Sequence, residues 1–223
     1  MCSQKYDLIM DEEITIINEK TRNEKIKSFF IENKKKFIVG LTCSILLVLG
    51  FYSFQVYMDG QRKLTSDKYN GAVIEYEIAE RDKTISLMKE IILDKDSTYS
   101  PLALYFLIDN NLVENKKEVN ELFNILINKT SLETEIKNLI IYKKALYNAD
   151  FVDENDLLDI LSPIINSNSI WKSHALYLVA EYFYSKNEKK KSKEFFEQIF
   201  NTENANQDIV KKSQKRINRD FGE

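Results

Sequence analysis

From Phe37 to Met58 the chain reads FIVGLTCSILLVLGFYSFQVYM without a formal charge. About 22 residues at about 1.5 Å each reach about 33 Å, enough to cross a hydrocarbon core. This run predicts one transmembrane helix. Gln55 is its only strongly polar side chain and stands about one turn from the end, within reach of the interface. Thr42, Cys43 and Ser44 can stay on a membrane helix, the hydroxyls bonding back to the preceding turn. A core helix of a soluble protein would carry a polar stripe, and this run has none. A cleaved signal peptide would have a shorter apolar region and leader with a small-residue cleavage site after it, whereas Tyr57-Met58-Asp59-Gly60-Gln61 follows here.

Beyond about residue 66 the pattern changes to amphipathic blocks of helical period, separated by turns rich in Asn, Asp, Ser and Lys. The predicted helices lie near 66–80, 82–93, 99–113, 116–128, 133–148, 154–166, 170–186, 188–201 and 205–219. Start signals precede several of them: Ser97-Thr98 with Ser100-Pro101, Ser131 with Glu133 and Glu135, and Ser169 before Ile170-Trp171. Short turns make neighbouring helices antiparallel, so the expected fold is all-α, a transmembrane helix followed by an array of helical hairpins. Three regions follow: a tail at 1–36, the anchor at 37–58 and an outer domain at 59–223.

The flanks of the anchor set its direction. Lys20, Arg22, Lys25, Lys27 and Lys34-Lys35-Lys36 precede it, while Arg62, Lys63 and Lys68 follow it with Asp59 and Asp67 interspersed. The positive-inside bias places the N-terminus in the cytoplasm. Ile14, Ile17, Ile26, Phe29 and Phe30 give the tail an imperfect helical stripe, read as a solvated juxtamembrane helix whose lysines set topology and touch anionic lipid or as a partner-binding or membrane-surface helix.

Composition removes several functions. Five glycines and two prolines in 223 residues leave little for sandwiches, barrels or glycine-rich phosphate loops. After the anchor 24 basic residues stand against 28 acidic ones, so the outer domain suits protein partners and not nucleic acid. Cys2 and Cys43 form no disulfide framework or metal cluster. His174 is the sole histidine, and no nucleophile elbow or HExxH helix exists. The acids at Asp150, Asp153, Glu154, Asp156 and Asp159 fit a solvated helix start better than a calcium loop. No catalytic residue, metal or cofactor is expected.

Shifting the sequence by 72 residues without gaps pairs Ala103-Leu104-Tyr105 with Ala175-Leu176-Tyr177, Phe123 with Phe195, and Ile127 with Ile199. Half of that shift is close to a tetratricopeptide period, with Tyr142 falling between. In the clearest pair, small Ala180 and Phe183 precede a turn at Asn187-Glu188, then small Ser192 and Phe196. The same shift sets Asn120 and Asn124 at the small and aromatic positions of the first pair. Tyr105, Tyr142 and Tyr177, with Asp109, Glu181 and Tyr184, could line an inner partner-binding face; alternatively the rings are packing between repeats.

With Asp11-Glu12-Glu13, Arg22-Asn23-Glu24, the Lys34–Lys36 stop, the anchor and Trp171 opening the last full pair, the chain resembles a tetratricopeptide-like family of single-pass bacterial inner-membrane proteins. That family includes the ancillary subunit of the SecYEG translocon. The resemblance implies a periplasmic outer domain and a non-enzymatic adaptor joining translocon subunits to a periplasmic chaperone. An envelope-assembly or cell-division scaffold of the same architecture is the alternative, with a membrane-anchored cell-wall hydrolase behind it.

Overall fold

The computed structural model describes residues 24–77 and 80–222, and among them every regular element is a helix. Cys2, Ile14, Ile17 and the Asp11-Glu12-Glu13 and Arg22-Asn23 features lie outside the described residues. In chain order the helices are α1 (24–32), α2 (Lys34–Glu77), α3 (Arg81–Asp94), α4 (Tyr99–Asp109) and α5 (Lys116–Lys129). There follow α6 (Thr134–Asn148), α7 (Glu154–Ile165), α8 (Lys172–Ser185), α9 (Lys189–Phe200) and α10 (Gln207–Asp220). The chain divides into two units, Met1–Gln61 and Arg62–Glu223.

In the first unit, α2 is long and apolar enough to cross a membrane. From Phe37 to Met58 every large apolar side chain is exposed, Leu47 to 75%. A continuous apolar surface of this extent is what a membrane-spanning helix presents to lipid. The hydroxyls behave as expected: Thr42 Oγ1 donates to the Ile38 carbonyl and Ser44 Oγ to the Gly40 carbonyl, each at 2.9 Å. The predicted break between residues 58 and 66 is absent, and α2 continues to Glu77. Gln61, Arg62, Lys63 and Leu64 are good helix formers, and Gly60 alone costs only about 1 kcal/mol.

In the second unit, consecutive helices from α3 to α10 pack on one another, and α3 also packs on α5, α6 on α8 and α8 on α10. The second helix of each pair turns inward a buried residue and another four later: Thr84 and Met88, Val119 and Phe123, Leu157 and Leu161, Ser192 and Phe196. Twelve residues before each of these pairs stands another buried residue, Ala72, Leu107, Ala145 and Ala180. Helices cross closely where these residues are small. Thr84 Oγ1 reaches the Ala72 carbonyl at 3.2 Å, and Ser192 Oγ reaches the Ala180 carbonyl at 2.8 Å. The core follows as three successive clusters along the chain, the last made by Leu176, Ala180, Phe196, Ile199 and Ile209.

Two local readings are corrected. Asn120 and Asn124 do not hold the small and aromatic positions of the first pair; Val119 and Phe123, one residue earlier, are buried there. Asn120 instead exchanges two amide hydrogen bonds with Asn148, both 2.9 Å. The start of α4 is held by Asp96, whose Oδ1 accepts from the Thr98 and Tyr99 amides at 2.8 and 2.7 Å, and not by Ser97 or Thr98. A carboxylate is the stronger acceptor for amides at the positive end of a helix. Asp153 does the same for α7, accepting from the Asp156 amide, which accounts for the acidic run there. Asn111, Asn187 and Asn204 take the left-handed backbone conformation that closes the turns. Asparagine tolerates it better than most residues, so the chain turns without glycine.

Candidate functional site

The tyrosines recur along the second unit, but in different surroundings. Tyr69 on α2 meets the Tyr99 ring at 5.8 Å, and Tyr105 on α4 lies under Lys143 of α6, with Nζ 4.4 Å from the ring centre. Tyr142 on α6 stacks on Trp171 at 5.9 Å and 20° and meets His174 edge-on. Tyr177 on α8 packs edge-on against Phe196 at 5.4 Å, in the cluster that also holds Val210 and Ile217 of α10. Each half-buried ring therefore contacts residues at or beyond the following helix. Tyr69 escaped the sequence reading, although it stands 36 residues before Tyr105.

Tyr177, Glu181 and Tyr184 are brought together, and α10 covers them. Glu181 accepts from Arg216 Nε at 2.7 Å and Nη2 at 2.6 Å. The same guanidinium lies 4.2 Å over the Tyr184 ring, whose edge contacts Phe221 at 5.9 Å. Arg216 Nη1 also pairs with Asp220, whose carboxyl is held below its ordinary range by hydrogen bonding to Arg219. Burial, with the Glu181 hydrogen bond behind it, pushes the Tyr177 hydroxyl up to about 12. The apolar positions Ile209, Val210, Ile217 and Phe221 recur at helical spacing and were the available signal for this docking.

Tyr105 and Asp109 lie elsewhere in the stack. Asp109 is exposed and, with Tyr105, Phe123, Lys143 and Leu146, lines a cleft of about 150 Å³. The Tyr105 hydroxyl is buried with no hydrogen-bond partner among the described residues, and burial pushes its pKa upward. His174, beside Tyr142 and Trp171, keeps Nδ1 buried with no hydrogen-bond partner among the described residues; burial, then the Lys212 charge, push its pKa down. Among the described residues no group of three or more His, Cys, Asp or Glu side chains could hold a metal ion.

No protein-family model matches the chain, and neither a curated protein nor a solved structure matches it.

Proposed function

We propose that the protein is a single-pass bacterial inner-membrane adaptor, N-terminus in the cytoplasm, whose periplasmic tetratricopeptide-like array links the SecYEG translocon to periplasmic chaperones. The observation that carries this reading is the occurrence in one chain of an exposed apolar helix long enough to cross a membrane and a helical stack whose buried pairs recur every 35 to 38 residues. Stacks of this kind present extended surfaces to other proteins. The lysines before the anchor support the orientation. The adaptor role itself rests on the family resemblance and on the mildly acidic outer surface.

Native purification of the tagged protein from gently solubilised membranes tests it. Translocon subunits and a periplasmic chaperone are expected to co-purify. Recovery of cell-division or envelope-assembly proteins without translocon subunits would replace this reading with the alternative scaffold.

A further inference from the structure

The apolar stripe of the tail is left unused by the adaptor reading, and its described part is α1. At about 100° per residue, Ile26, Phe29, Phe30, Asn33 and Phe37 fall on one face about 100° wide. Ile26, Phe29 and Phe30 are 48%, 56% and 52% exposed. This face is continuous with the apolar surface of α2: the Phe29 and Phe30 rings meet the Phe37 ring at 5.9 and 4.8 Å, across the turn at Asn33. Asn33 turns its amide away from solvent, Nδ2 donating to the Phe29 carbonyl at 2.9 Å.

Lysines edge the face on both sides. Lys25 and Lys36 stand about 80–100° to one side of its centre and Lys27 and Lys34 as far to the other, with Lys35 and Glu24 behind. Glu32 is the only other carboxylate of the segment, and none of the five lysines enters an ion pair among the described residues. An apolar face edged by unpaired cations matches a helix lying in an anionic lipid surface, its lysine stems reaching up to the headgroups. With Phe37 at the edge of the hydrocarbon, an upright α1 would lift Phe29 about 12 Å and Ile26 about 16–17 Å above it, past a headgroup layer of about 5–8 Å. Lying flat, α1 keeps all three side chains out of water. Only four residues separate α1 from Phe37, so the bilayer is the surface it always meets, at an effective concentration that no free partner matches.

We propose that α1 lies flat in the anionic headgroup layer of the leaflet that α2 enters, the cytoplasmic one in the proposed orientation. Ile26, Phe29 and Phe30 insert among the upper acyl carbons, and Lys25, Lys27, Lys34 and Lys36 pair with lipid phosphates. The occupant of this face is phospholipid and not a protein. This rests on α2 spanning the membrane and is independent of which partners the outer domain holds.

The test uses the full-length protein in nanodiscs of mixed phosphatidylglycerol and phosphatidylcholine. Cys2→Ser and Cys43→Ser clear the native thiols, and Phe30→Cys, Ser28→Cys or Leu47→Cys then carries a nitrobenzoxadiazole dye that aqueous dithionite bleaches. The dye at position 30 is expected to bleach at least tenfold more slowly than the dye at 28, on the opposite side of α1. Ile26→Cys repeats the measurement with both phenylalanines intact and should agree. In pure phosphatidylcholine, or after Lys25→Gln with Lys27→Gln, bleaching at position 30 should quicken at least threefold. Equal bleaching at 28 and 30 in the anionic discs, or protection indifferent to both lipid charge and lysines, would overturn the proposal. Access at position 30 in nanodiscs with protection in native inverted membrane vesicles would assign the face to a protein and overturn it too. A protected dye at Leu47 beside an accessible one at position 30 refutes α1 alone, whereas an accessible dye at Leu47 refutes the spanning helix on which it rests.

Discussion

Phe196 is fully buried while Glu194, two residues earlier, is exposed, and that contrast fixes the phase of α9. Removing the ring should cost about 3–5 kcal/mol, so Phe196→Ala is expected to lower the denaturant midpoint sharply at an unchanged m-value. Ser192 is equally buried and touches the Ala180 backbone. Ser192→Trp should overpack that crossing and destabilise by about 1–3 kcal/mol or more, read by the same titration. His174 makes a prediction about pH. Its folded pKa lies below the ordinary 6.5 through burial and Lys212, so the unfolded chain takes up the proton first. Stability should therefore hold above about pH 6.5 and fall as pH drops below it, and His174→Gln should flatten that part of the melting-temperature profile.

At the scale of the element, α10 is the piece whose role changed most between sequence and structure. The sequence marks its helical period but not its destination, because docking depends on Arg216 meeting Glu181 across 35 residues of chain. Tyr177→Ala with Tyr184→Ala should consequently lower stability by about 1–3 kcal/mol, since both rings support α10 or its neighbour Phe196. A double-mutant cycle on Glu181→Gln and Arg216→Gln should return a coupling of about 1 kcal/mol, modest because Glu181 remains partly solvated. Helix existence was legible nearly everywhere from periodicity. Register was less so: the buried positions Leu107 and Ala180, Val119 and Ser192, and Phe123 and Phe196 each stand 73 residues apart, so an ungapped comparison at 72 reads Asn120 and Asn124 where Val119 and Phe123 are buried. The helix long and apolar enough to cross a membrane was legible from its uninterrupted apolar run. Leu46→Lys should add about 2.5–3.5 kcal/mol to its insertion cost, and the pair with Leu47→Lys should release the protein from membranes on carbonate extraction.

For the whole molecule, the site is less legible than the fold. The recurring tyrosines were visible as a period, but a period cannot distinguish rings that pack against the next helix from rings that face a partner. In the structure Tyr142 and Tyr177 are engaged by Trp171, His174, Phe196 and the α10 cluster, while Tyr105 borders open clefts. The adaptor account therefore places its contact surface away from Tyr177 and Tyr184. Site-specific photocrosslinking in living cells tests the adaptor role most directly, with the photoreactive residue at exposed Leu93 on α3 or exposed Leu102 on α4. The account predicts adducts from one or both positions to a translocon subunit, a periplasmic chaperone or an exported chain. Adducts to cytoplasmic proteins, or only unselective labelling from both positions, would contradict it.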